Sequence, residues 1–183
     1  MVAAGFSLRG LCSLSITRLK KQMVIREKKH RLPSEYYRGE ISVSYTLCLK
    51  DRKEVFVHPG IVALFIDHLR DAIRNSDCIV PVYCFMPDHQ HIIVAGTNGH
   101  ADTRKTIVRY KQRTGYWMSK NLPDKEWQKD FYDHVIKNRE DVAHQVRYVL
   151  DNPVRKGLVD SWRNYSFKGS LGCDLEDILT GLH

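Results

Sequence analysis

Between Cys78 and Ala95 the chain reads CIVPVYCFMPDHQHIIVA, two apolar runs rich in β-branched and aromatic residues with only Pro87-Asp88 between them. Runs this short and this apolar suit strands, and a Pro-Asp pair suits a tight turn, so the two form neighbouring strands of one sheet. The rest of the chain must be built around that hairpin.

The flanking segments supply the other elements. GEISVSYTLCL, from Gly39 to Leu49, alternates Ile41, Val43, Tyr45 and Leu47 with small polar residues, the period of a half-buried strand. VHPGIVALFIDHLRDAIRN sets Ile61, Leu64, Phe65, Leu69, Ala72 and Ile73 at helical spacing behind Pro59. A strongly basic second helix is expected from Ala101 to Asn121, broken or bent at Gly115. FYDHVI reads as a fourth strand, and REDVAHQVRYVLDN as a third helix that Pro153 must end or kink. The order is that of a split βαβ, ferredoxin-like α+β fold. The expected architecture is an antiparallel four-stranded sheet with helices on one face and an extra C-terminal helix carrying Tyr148.

A chain of 183 residues supports one domain. Residues 1–22, with Arg and Ser but no acidic residue, resemble a transit peptide only faintly, because their one charge cluster lies at the far end. They are expected to be a poorly ordered extension, with the domain over 23–168 and a tail over 169–183 formed by a loop and a short acidic helix. Lys and Arg number 29 against 21 acidic residues, a formal charge of +8 that favours an anionic partner such as nucleic acid. Five scattered cysteines without a CxxC pair argue for reduced thiols, a cytoplasmic setting and no zinc ribbon. No apolar run approaches the ~20 residues of a membrane-spanning helix.

His89 and His91 are one residue apart on an expected strand, so both imidazoles face the same side and can share a metal ion, while Gln90 faces the other. Alone, His-x-His is weak, since packing or exposed histidines produce it more often. Tyr148 and Asn152 are four residues apart and lie one turn apart on the same helix face. The amide of Asn152 suits a third ligand and also suits a helix C-cap before Pro153. Arg104, Lys105, Arg109, Lys111 and Arg113, interleaved with Tyr110 and Tyr116, suit a DNA backbone with splayed bases, or else a solvated helix face. Arg155 and Lys156 follow the tyrosine helix and suit phosphate contact, and Arg26, Lys28, Lys29 and Arg31 suit either tracking a duplex stem or merely keeping the domain entrance soluble.

Four stretches together, SVSYTLCLKDR, MPDHQHIIV, WQKDFYDHVI and RYVLDNPVRKGLV, carry a specific resemblance. From about Arg31 to Phe167 the chain resembles the insertion-sequence single-tyrosine transposases of the HUH type, and most of all their REP-associated tyrosine relatives. The resemblance implies Mg²⁺ or Mn²⁺ at His89 and His91, with Asn152 as a further ligand. It also implies Tyr148 as nucleophile, and single-stranded or hairpin DNA as the partner. The linkage formed would be a 5′-phosphotyrosine with a free 3′-hydroxyl, so rejoining needs no nucleotide cofactor. Dimers are common in that group, and association with DNA would draw the protein to the nucleoid. The family's middle motif residue is hydrophobic, whereas here it is Gln90. Tyr132, Tyr116 and Tyr165 are alternative tyrosines, best read as packing or stacking residues, and His134 and His144 are alternative ligands. A sequence-specific DNA-binding protein on the same fold that does not cleave is the competing function. A hydrolase using water is a third.

Overall fold

The computed structural model describes residues 32–181 except Asn75, and the side chains of Arg139 and Glu140 are not described. The extension expected over 1–22 and the basic residues Arg26, Lys28, Lys29 and Arg31 lie outside the described residues.

The strands are β1 (Ser42–Cys48), β2 (Cys78–Met86), β3 (His89–Gly96), β4 (Tyr132–Ile136) and β5 (Lys168–Leu171). The helices are α1 (Pro59–Ile73), α2 (Thr103–Asn121), α3 (Arg139–Leu150), α4 (Asn152–Arg155) and α5 (Leu175–Thr180). The sheet order is β4-β1-β3-β2-β5, with every neighbouring pair antiparallel. β1 and β2 flank β3, with α1 crossing between them, and β3 and β4 flank β1, with α2 crossing. This is the split βαβ arrangement that the element order implies.

The sheet differs from the expected one in two details. It has a fifth strand, because Lys168–Leu171 pairs with the outer edge of β2, so the expected boundary at 168/169 falls inside a strand. The short acidic helix beyond it is present as α5, started by Asp174, whose carboxylate accepts from the backbone of Glu176 and Asp177. Helices also cover both faces. Tyr45, Leu47, Tyr83, Phe85, Ile92 and Val94 pack with α1 and α2 in the larger core, which includes Phe56, Phe65 and Trp127. The alternate residues Val82, Cys84, Met86 and Ile93 pack with Val142, Val146, Val149 and Leu150 of α3 and with Ile178 of α5. β2 is apolar at every position because both of its faces are covered.

α2 starts at an Asp102 cap, whose carboxylate accepts from the Lys105 backbone at 2.8 Å, and runs unbroken through Gly115. A Cβ at Gly115 would sit 3.4 Å from the Trp127 ring, so the glycine makes room rather than a bend. Tighter still is Gly96, where a Cβ would lie 2.0 Å from the Gly39 carbonyl oxygen and 2.7 Å from the Ala101 Cβ. Backbone must move to admit it. Gly96→Ala is expected to cost about 1–3 kcal/mol, read as a thermal midpoint lowered by roughly 5 °C.

Candidate active site on the face of α3

β3 alternates strictly at its start. Gln90 turns toward α2, fully buried, and its Oε1 accepts the Tyr110 hydroxyl at 2.9 Å. Burial pushes the Tyr110 phenol far above its usual range, so the group stays a neutral donor. The polar residue at this motif position is thereby accommodated, although Gln90 Nε2 has no partner among the described residues. His89 and His91 turn the other way, onto the face covered by α3.

The two imidazoles meet edge to face, with ring centroids 4.8 Å apart and Nε2 atoms 3.1 Å apart. Each Nδ1 is held from behind: that of His89 by Asp88 Oδ1 at 2.5 Å, and that of His91 by Thr46 Oγ1 at 3.1 Å. The Nε2 contact is a hydrogen bond when one of the two carries its proton, and when both protons sit on Nδ1 the two Nε2 lone pairs face one point and leave room for a cation. Two ligands at adjacent corners of an octahedral Mg²⁺ or Mn²⁺ site would stand about 3.0 Å apart, so the pair fits such an ion. Burial, then the charges of His89, Arg155 and Arg52, draw the His91 imidazole down to about 3 and keep it neutral. At Asp88, burial pushes the carboxyl upward, but the hydrogen bond and charge of His89, with Arg52 at 3.2 Å, outweigh it and hold the group below its ordinary value.

α3 packs its apolar side on the same face, and Tyr148, near its end, is 48% exposed. Pro153 has no N–H to give the Val149 carbonyl, so the helix would end with an orphan acceptor. The Asn152 side chain fills that role, donating to the Tyr148 carbonyl at 3.1 Å and to the Val149 carbonyl at 3.2 Å. The chain then turns once more as α4. Its last residue, Arg155, folds back with its guanidinium carbon 3.8 Å from the centre of the Tyr148 ring. One guanidinium nitrogen donates to the Tyr148 carbonyl at 3.0 Å and to Asn152 Oδ1 at 3.1 Å. Arg155 thus joins the tyrosine to the amide, and its positive charge helps lower the His91 imidazole. Among the described residues there is no group of three or more His, Cys, Asp or Glu placed to hold a metal ion.

The basic residues divide. Arg155 and Lys156 stand at the end of the tyrosine helix, exposed. Arg104, Lys105, Arg109, Lys111 and Arg113 are on α2, across the sheet from the histidines. Arg104 is half-buried over the Tyr37 ring, and Lys111 donates to the carbonyls of Gln128 and Asp130 and faces the Phe131 ring, so both hold the fold together. Lys105 and Arg109 are exposed and, with Arg38 and His100, line an open cavity of about 420 Å³. Arg113 is 3.6 Å from Asp71 of α1. Of the other tyrosines, Tyr165 is buried and donates to the Phe85 carbonyl, whereas Tyr132 and Tyr116 are exposed.

Thr46 and Asp88 were not foreseen as parts of the site. Asp88 had a visible signal, adjacency to His89, while Thr46 reaches His91 only through the pairing of β1 with β3.

The sequence profile of the family described as transposase IS200 like matches residues 38–152, from before β1 to the tyrosine helix and Asn152. The chain belongs to the IS200-like transposase family. Within it, a REP-associated tyrosine transposase of Escherichia coli is 31% identical over 105 residues, 54% of this chain and 61% of that protein's length. A putative REP-associated tyrosine transposase of Haemophilus influenzae is 22% identical over 138 residues, covering 67% of this chain and 76% of the relative. Among solved structures, a REP-associated tyrosine transposase bound to a REP hairpin matches with a TM-score of 0.67 and 21% identity, over 86% of this chain and 88% of that one. The five-stranded α+β architecture of this transposase-family chain is therefore a known one. Among its described residues no helix is long and apolar enough to cross a membrane.

Proposed function

We propose that this protein is a DNA transposase that binds hairpin-forming single-stranded DNA and cleaves and rejoins it through a tyrosine-linked intermediate. The observation that carries the reading is the shared face. His89 and His91 converge on one point, and Tyr148 stands exposed on the helix covering that same face, stacked by an Arg155 whose charge acts on His91. A hairpin partner is supported by what the solved relative holds and by the net charge of +8.

In the proposed reaction the Tyr148 oxygen attacks the scissile phosphorus, the bond from phosphorus to the 3′-oxygen breaks, and that oxygen leaves as a 3′-hydroxyl after taking a proton. The phenol's own proton goes to solvent. A 5′-phosphotyrosine remains, and attack by another 3′-hydroxyl reverses the step without external energy. Mg²⁺ or Mn²⁺, held by His89, His91 and the Asn152 amide, supplies charge neutralisation at the phosphate when bound. Arg155 takes one lone pair of Asn152 Oδ1 and holds the amide in place, which leaves the second lone pair for the ion. Arg155 and Lys156 then bear on the phosphate, and the exposed Lys105, Arg109 and Arg113 on DNA lying across the far side of the sheet.

The test is incubation with a labelled hairpin oligonucleotide bearing single-stranded tails and Mn²⁺, followed by denaturing electrophoresis. A denaturant-resistant protein–DNA adduct is expected. Tight binding with no adduct would instead favour a non-cleaving DNA-binding protein.

Arg155 provides a graded check on the geometry. Arg155→Ala frees the Tyr148 ring and the Asn152 amide together, and is expected to slow single-turnover adduct formation by about 100-fold while hairpin affinity changes much less. Arg155→Lys should not restore the rate, because an ammonium cannot stack flat on the ring and bridge to the amide.

A further inference from the structure

Tyr132 does not take part in the fold's packing, and its place in the sheet is specific. β4 pairs Tyr132 with Thr46 of β1, and β1 pairs Thr46 with His91 of β3. Residues paired across a sheet share a face, so the Tyr132 ring stands on the α3 side in the same row as His91. Two strand spacings separate them, about 9.5 Å, less than the rise of three stacked nucleotides. Between them Thr46 holds the His91 ring by the 3.1 Å contact to Nδ1.

The neighbours of Tyr132 all have structural employment. Phe131 packs edge-on against Tyr45, Asp133 accepts the Tyr37 hydroxyl on the opposite face, and Ile136 is buried under α3. Tyr132 is 70% exposed, on the outermost strand, and makes no hydrogen bond or ring contact among the described residues. Around it on this face are polar groups, Thr46 and His134, with exposed Lys129 and Lys137 at either end of the strand. A lone aromatic face framed by polar and cationic groups does not suit a protein interface, which needs an apolar patch. It suits a nucleobase, whose π-face stacks on the ring while lysines meet the backbone.

We infer that Tyr132 is the platform on which an unpaired base of the substrate strand stacks, next to the phosphate presented to His89 and His91. This rests on the transposase reading above and adds a contact that selects for unpaired DNA at the cleavage site. The phenol oxygen has no chemical part in it, so the ring is what matters.

Binding is measured with two DNAs of identical stem, a hairpin with single-stranded tails and a blunt hairpin, using Tyr132→Phe, Tyr132→Leu and Tyr132→Ala. Leu keeps apolar bulk and strand propensity, and the ring is exposed, so folding is not at issue. For Leu and Ala, affinity for the tailed hairpin is expected to fall about tenfold, with blunt-hairpin affinity unchanged and Phe equal to wild type for both. A 2-aminopurine in the tail next to the cleaved bond should be quenched by wild type and Phe and not by Leu. Equal loss on both DNAs, or no loss on either, would overturn the proposal. Loss of the covalent adduct in Tyr132→Phe would overturn it differently, by making Tyr132 the nucleophile. Failure of the transposase reading is distinguishable, since wild type would then form no adduct with either DNA.

Discussion

Tyr148→Phe is expected to remove the denaturant-resistant adduct, lowering its rate of formation by roughly 10⁴-fold or more, with hairpin affinity essentially unchanged. The substitution deletes one oxygen and nothing else the structure depends on. The ring is half exposed, its hydroxyl makes no hydrogen bond among the described residues, and the stack under Arg155 needs only the π-face. The carbonyl that receives Asn152 and Arg155 belongs to the backbone and survives. Chemistry is thus removed while geometry is kept. Adduct formation at the wild-type rate would exclude Tyr148 as nucleophile and turn attention to the exposed Tyr132 on the same face.

The second large effect concerns the histidine pair. His91→Ala is expected to weaken Mn²⁺ binding by at least about 100-fold, measured by the free-ion resonance signal in protein without DNA, and to abolish the adduct at any Mn²⁺ concentration that wild type requires. The alanine also leaves a void and removes the partner of Thr46, so a fold defect must be separated from ligand loss. His91→Gln serves this purpose, since it keeps volume and a polar atom toward Thr46. It should melt close to wild type while still binding Mn²⁺ poorly. Unaltered Mn²⁺ affinity in both variants would place the ion elsewhere, and adduct formation in chelator would remove the ion from the reaction.

Much of this molecule is legible along the chain because its signals are local. The period-two alternation of Ser42–Cys48, the helical spacing from Pro59 and the Pro87-Asp88 turn each specify an element without reference to distant residues, and together they imply the β1-β3-β2 arrangement. β5 escapes such reading because KGSL has no apolar alternation and exists as a strand only through backbone bonding to β2. The side on which α3 lies is likewise a tertiary choice, although the unbroken apolar run of β2 carried a trace of it. Gly115 shows the opposite error, a local helix-breaking signal overridden because Trp127 needs the space. At the site, alternation alone puts His89 and His91 on one face and Gln90 on the other. The contact of Arg155 with Tyr148 spans seven residues across a proline break, and Thr46 lies 45 positions from His91, so neither could be read from spacing. The basic residues of α2 were legible as charge, but charge does not say which side of a sheet it faces.

The two cores on either side of the sheet are unequal. Phe56, Phe65, Tyr110 and Trp127 lock α1 and α2 down with a web of aromatic contacts, whereas α3 rests on a thinner layer of valines, Leu150 and Ile178, tied in its last turn by the Arg147 guanidinium on the Leu179 carbonyl at 2.6 Å. Local opening follows the weaker layer first. Tyr148, the nucleophile of the proposed reaction, therefore rides on the leaf that lifts at least cost, while the imidazoles are set in the rigid plate beneath. The reaction proposed above, in which one severed end is held while the other is exchanged, gives reason for a grip built on the movable half.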